Sequence, residues 1–188
     1  MPERAGIALL PELIAQYRNI GLVYLLPLNL SALADAYGQM GHVEEGLTTI
    51  AEAVHITETS ATAFWAAEVY RLKGELLLQS SAQSHGPRVK KGSKSKGQRP
   101  LAANPKPQIL NPQSHEEAEA CFQQAITIAQ QQEAKSLELR ATMSLARLWQ
   151  QQGKGAKGHK LLSKIHAWFS EGFDTQDLRE AKVLLDEL

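Results

Sequence analysis

The side chains that could do chemistry in this sequence are six histidines, one cysteine and two pairs of adjacent glutamates. Two imidazoles four residues apart on a helix can bind a metal ion. No two of these histidines have that spacing, and none neighbours the cysteine. The sequence therefore predicts solvent-exposed histidines, no metal site and no cofactor. The six are His42, His55, His85, His115, His159 and His166.

The cysteine and the glutamate pairs also lack the surroundings of catalytic groups. A thiol becomes a nucleophile when a neighbouring base or cation lowers its pKa, and no such group can be placed beside Cys121. Glu44 and Glu45, like Glu116 and Glu117, begin predicted helices, where carboxylates interact favourably with the helix dipole. Two carboxylates on a solvated turn are not an acid–base pair. We therefore predict no catalytic residue and no enzyme activity in this chain.

Residues 84–108, SHGPRVKKGSKSKGQRPLAANPKPQ, hold seven lysines and arginines and no acidic residue. The motif KGSKSKG lacks the spacing of a nucleotide-binding phosphate loop. Seven cations could contact nucleic acid in a salt-sensitive way, but no aromatic side chain is present to stack on bases. Nucleic-acid binding through this segment is kept as the alternative function. Its Gly, Pro, Ser and Lys content cannot bury a core, which predicts disorder.

The remaining composition indicates a globular cytoplasmic protein. The chain of 188 residues has a net charge of zero, so the residues outside the basic segment are acidic on balance. A single cysteine excludes a disulfide framework, and no apolar run is long enough to span a membrane. Charged residues and Pro11 interrupt the apolar N-terminal stretch, which is therefore not a secretory signal.

Helix-forming residues and helical spacing of the apolar positions predict an all-α fold. Asp174 or Thr175 can cap the last helix. Trp65, Trp149 and Trp168 fall on apolar faces and are expected in the core. The eight predicted helices are 5–19, 22–40, 43–59, 61–80, 114–131, 134–152, 155–171 and 175–187.

Small residues recur at a fixed interval on the second helix of each predicted pair. The interval from Gly6 to Gly46 equals the interval from Ala118 to Gly158, whereas the interval from Gly46 to Ala118 is longer. The additional length forms an insertion between the two helices of one pair. The sequence thus divides into helices in 1–81, starting with a half repeat, a disordered basic insertion in 82–113, and helices in 114–188 that end in a capping helix.

A repeat period of about 40 residues predicts a right-handed solenoid of antiparallel helical hairpins. Each hairpin brings its two helices close together, so a small side chain is expected where they cross. Large residues such as Tyr37 and Phe122 would then fill the space between neighbouring hairpins. The predicted crossing residues are Ala34, Gly74 and Ala146 on the first helices and Gly46, Ala118 and Gly158 on the second.

The segment EEAEACFQQAITIA, with Ala118, Phe122 and Ala125, resembles the tetratricopeptide repeat. More narrowly, the segments LADAYGQMGHVEEGL, EVYRLKGELLLQ and WFSEGFDTQDLREAKVLLDEL resemble the C-terminal repeat region of large bacterial signalling ATPases. In that family the repeats follow an AAA-like or STAND-type module, often with a class III adenylate or guanylate cyclase domain. The resemblance implies a non-catalytic scaffold, either a sensor or an effector-docking region.

The resemblance also implies that the first helix of each pair lines a concave groove that binds a protein or peptide. Helical geometry selects side chains between the packing stripe and solvent, and their mixed charge suits a peptide or a helix. An ordinary solvated surface is the alternative. The candidates are Ser31, Asp35, Gln39, Glu68, Arg71, Glu75, Arg140, Met143, Arg147 and Gln150.

Overall fold

The computed structural model describes residues 3–60, 63–83 and 112–188. These residues form eight α-helices and no strand, as the all-α prediction requires. Short 3-10 helices precede the second and fourth helices. The helices are α1 Glu3–Asn19, α2 Leu26–Gln39, α3 Val43–Thr59, α4 Ala66–Gln83, α5 Pro112–Gln131, α6 Lys135–Gln151, α7 Gly155–His166 and α8 Gln176–Glu187.

Each helix packs against the next one in the chain, and the even-numbered helices also contact one another in the order α2, α4, α6, α8. Three apolar clusters fill the spaces between them. The first lies among α1 to α4, the second among α4, α5 and α6, and the third among α6, α7 and α8. The core is therefore spread along the row of helices, and the even-numbered helices form one layer of it.

Four helix-to-helix turns share one backbone form. In each, a residue with positive φ follows the helix, and the next N–H donates to the carbonyl five residues earlier, as in His42 to Tyr37 at 2.9 Å. This bond closes the helix C-terminus and favours glycine. The positive-φ residues are Gly21, Gly41, Glu133 and Gly153.

The spacing of these turns is independent evidence for the repeat interval. The step from Gly21 to Gly41 equals the step from Glu133 to Gly153, and each is half the predicted period. The step from Gly41 to Glu133 has the length of three such half-periods and of the predicted insertion 82–113 together. The turns of the backbone are thus spaced at the same interval as the small residues at the predicted helix crossings. Of the predicted disordered insertion 82–113, residues 84–111 lie outside the described part of the chain. The prediction is wrong at the two ends of the insertion, where residues 82–83 belong to α4 and residues 112–113 belong to α5.

The small residues lie at close helix crossings, as predicted, with one difference. A Cβ atom on Gly46 would lie 3.1 Å from the Ala34 carbonyl oxygen, and one on Gly158 would lie 3.2 Å from the Ala146 Cα. Gly74, however, makes room for Phe122, because a Cβ there would lie 2.5 Å from its ring. The aromatic ring, and not Ala118, therefore requires a glycine on α4.

The predicted extent of α7 is wrong. The helix ends at His166 instead of residue 171, because the N–H groups of Trp168 and Phe169 bond three residues back and the chain turns toward α8. Trp168 consequently lies beyond the helix and is 60% exposed, contrary to its predicted place in the core. Trp149 is buried and Trp65 partly buried, as predicted.

Candidate functional site

The predicted groove residues lie on three helices that contact in sequence, α2, α4 and α6. Positions related by the repeat carry very different side chains. Asp35, Glu75 and Arg147 form one column, because each directly follows one of the predicted crossing residues of the first helices. We call the surface formed by these side chains and their neighbours on α2, α4 and α6 the polar face. The fold aligns the columns, and the side chains differ from helix to helix.

Arg71 is the centre of the polar face on α4. Its guanidinium donates to Glu68 through Nε at 2.9 Å and Nη2 at 2.6 Å, and to Glu75 through Nη1 at 2.5 Å. Burial alone would lower the pKa of Arg71, but the hydrogen bonds and charge of Glu68 and Glu75 raise it above its ordinary value. The cation is thus held by two carboxylates of its own helix.

The same carboxylates connect α4 to α6. The Ser144 hydroxyl donates to Glu75 at 2.8 Å. Arg140 lies 4.0 Å from Glu68 and donates from Nε to Asp177 of α8 at 2.8 Å. A continuous chain of polar contacts therefore crosses from α4 through α6 to α8.

Helix α8 covers the C-terminal half of the polar face. Arg147 pairs with Glu180 at 3.3 Å, and the Gln150 amide donates to the Glu187 carbonyl at 3.0 Å. A hydrogen bond from Gln176, followed by the charge of Arg147, lowers the pKa of Glu180. Arg147, like Arg140, is therefore already paired with a carboxylate of α8.

Met143 differs from the prediction. It is only 4% exposed and packs in the third apolar cluster with residues of α7 and α8. Met143 therefore belongs to the core beneath α8 and is not a groove contact. The opposite charges of Asp177 and Glu180 relative to Arg140 and Arg147 were the sequence signal that α8 lies on this surface.

The N-terminal half of the polar face is open and acidic. Asp35 accepts a hydrogen bond from Gln39 of its own helix at 2.8 Å and makes no ion pair with any described residue. Burial, followed by the charge of Glu75, raises the pKa of Asp35, and Arg71 offsets only part of this increase. Ser31 is buried and donates to the Pro27 carbonyl at 2.7 Å, so its hydroxyl is engaged within the helix. Asp35 is thus a half-buried carboxylate that pairs with no cation of the described residues.

Other predicted reactive groups do not converge on a site. Cys121 is a buried free thiol, and burial raises its pKa, which keeps it protonated near neutral pH. His42, His55 and His159 are exposed as predicted, whereas His115 and His166 are partly buried. His85 lies outside the described residues. Within the described ranges no group of His, Cys, Asp and Glu side chains could hold a metal ion.

The described helices also include none that is long and apolar enough to cross a membrane. Neither a protein-family model, nor a curated protein, nor a solved structure gives a match to this chain. Functional argument therefore depends on the residues and their geometry alone.

Proposed function

We propose that the chain is a right-handed solenoid of tetratricopeptide-like hairpins that acts as a non-catalytic protein-interaction module. Contacts between consecutive helices and along the even-numbered helices support this arrangement. The evenly spaced turns and the small residues at helix crossings support the repeat. Such repeats build extended surfaces that bind peptides or helices.

The observation that carries the proposal is the half-buried Asp35 on the open half of the polar face. A carboxylate that is partly removed from water and lies near Glu75 is destabilised unless a cation approaches it. Asp35 has no such partner on its own helix. A lysine or arginine of another protein would supply it. We infer that the polar face binds a segment with a basic side chain at Asp35.

The resemblance of the helical segments to the repeat region of bacterial signalling ATPases further favours a place for this module at the C-terminal end of such an ATPase or of a cyclase, in the cytoplasm. In that setting the partner is either an effector or the upstream nucleotide-binding module. The genome tests this placement directly. An in-frame nucleotide-binding module before Met1 would support it, and an intergenic region with a stop codon there would contradict it.

Site-specific photo-crosslinking tests the binding face. Leu28 is exposed on α2 and occupies the repeat position of Glu68, two turns before Asp35. A benzophenone side chain at position 28 should capture a partner in cells, and the capture should fall strongly in the Asp35→Asn background. The matched control places the same group at the exposed Thr48 of α3. Equal capture from positions 28 and 48, or capture insensitive to Asp35→Asn, would refute the proposed face.

A further inference from the structure

A second surface of different character runs along α7. A groove there is lined by Trp149 at the end of α6 and by Lys157, Lys160, Leu161 and Lys164 of α7. Almost all of its lining is apolar, because Leu161 and the lysine methylenes form its floor and sides. Leu161 also packs against the second core cluster, so the floor of the groove is anchored in the fold.

The groove is cationic as well as apolar. Residues 157–166 contain three lysines and no acidic residue. Lys157, Lys160 and Lys164 make no ion pair with any residue of the described ranges, in contrast to the engaged arginines of the polar face. The Lys157 ammonium instead lies 3.8 Å from the centre of the Trp149 ring. A cation over an aromatic ring forms a modest interaction. A carboxylate of a ligand could replace the ring as the partner of the Lys157 ammonium.

Trp149 provides a second, independent sign of an unmet partner. The side chain is 3% exposed, and its Nε1–H finds no acceptor in the part of the chain that is described. A buried donor without an acceptor destabilises the structure that contains it. Trp149 also lines the groove, so a ligand bound there would contact the same side chain.

The repeat provides an internal comparison for the lysines. When Gly46 of α3 is aligned with Gly158 of α7, the positions equivalent to the three lysines are Glu45, Thr48 and Glu52. Both helices make the same close crossing with the preceding helix, through those two glycines. Since α3 has two glutamates and a threonine at these positions, the packing of such a hairpin does not require the lysines of α7.

We propose that this groove binds an acidic amphipathic segment of a partner protein. Its carboxylates pair with Lys157, Lys160 and Lys164, and its apolar side chain covers Leu161 and the edge of Trp149. A protein segment is favoured over a nucleic acid for two reasons. The apolar lining contributes nothing to phosphate contacts, and the chain outside residues 84–108 carries a net negative charge, which repels an extended polyanion.

The test is selection from a phage-displayed random peptide library on the full-length protein, followed by fluorescence polarisation with the enriched peptides. The decisive variant transfers the α3 pattern to α7, as Lys157→Glu, Lys160→Thr and Lys164→Glu. Its control makes the same change of charge on exposed residues away from the groove, as Lys154→Thr, Arg179→Glu and Lys182→Glu. Circular dichroism verifies that both variants keep their helices.

We expect enriched peptides that combine Asp or Glu with a large apolar residue and that bind the variant at least about tenfold more weakly than the wild type. The control should bind them within about twofold, and peptides with Lys in place of the acids should not bind the wild type. If the transfer variant does not fold, Leu161→Gln replaces it in the comparison with the wild type. The peptides with Lys in place of the acids then test the requirement for opposite charge. The proposal is overturned by a selection without acidic consensus or by unchanged binding to the variant. It is also overturned if oligothymidylate or phosphatidylserine vesicles bind more tightly than the peptides and lose that binding in the transfer variant.

Discussion

At the residue scale, the charged side chains of the polar face differ in whether they form ion pairs within the fold. Arg71, Arg140 and Arg147 all pair with carboxylates of the same chain. Among the residues that the structure describes, Asp35 bonds only with the neutral amide of Gln39. Opposite charges that are engaged within the fold contribute to its cohesion, whereas a half-buried unpaired charge destabilises it. The functional assignment depends on this difference.

The raised pKa of Asp35 makes a prediction about stability. Ionisation of Asp35 is less favourable in the folded protein than in the unfolded chain, where its pKa is near 3.8. Wild-type stability should therefore decrease as the pH rises from that value through the raised folded pKa. Asp35→Asn should increase the free energy of unfolding at pH 7 by less than about 1 kcal/mol, since solvent screens a half-exposed group.

Urea denaturation at several pH values measures this effect. The gain from Asp35→Asn should be complete near pH 7 and should vanish below the ordinary aspartate pKa, where both side chains are neutral. Asp186→Asn is the control, because this exposed residue of α8 lies outside the polar face. A loss of stability in Asp35→Asn at pH 7 would contradict the assignment of an unpaired carboxylate.

At the element scale, the packing of α4 against α5 includes a close contact between Gly74 and the fully buried Phe122. Alanine is favoured over glycine inside a helix by about 1 kcal/mol. Here, however, its methyl group would enter the ring, and overpacking of this kind destabilises proteins by about 1–3 kcal/mol. We predict that Gly74→Ala lowers the free energy of unfolding despite its helix propensity.

A double-mutant cycle isolates that contact. Phe122→Leu alone should destabilise the protein by leaving unfilled space, but it removes the ring that meets position 74. In the Phe122→Leu background, Gly74→Ala should therefore become neutral or stabilising. An equal effect of Gly74→Ala in both backgrounds, measured by urea denaturation, would exclude Phe122 as the reason for the glycine.

The order and spacing of the helices were predictable because periodicity and turn chemistry are local. Gly41 and Gly153 indicate helix ends in the sequence itself, and Gly46 and Gly158 indicate close crossings. The end of α7 was not predictable, since its apolar spacing continues past His166 while the backbone turns toward α8. The burial of Met143 has the same cause. It depends on where α8 packs, which the spacing of residues on α6 does not specify.

At the scale of the whole molecule, the row of helices presents two surfaces of opposite character. The open half of the polar face is acidic around Asp35, and the groove along α7 is lined by lysines that make no ion pair within the described ranges. Asp35 lies on α2 and the lysines lie on α7, at positions that the proposed repeat does not relate to one another. In the repeat that we propose, each hairpin keeps its packing residues while its exposed positions vary, which permits two such surfaces.

We propose that Asp35 binds a basic side chain of a partner. Isothermal titration calorimetry measures this by comparing the affinity of wild type and of Asp35→Asn for the partner captured through position 28. We expect Asp35→Asn to be at least as stable as the wild type at pH 7. The variant should nevertheless bind the partner at least about tenfold more weakly, because a charged pair is lost. Asp186→Asn should change neither quantity. Unchanged affinity in a stabilised Asp35→Asn protein would contradict the claim that the polar face is the binding site.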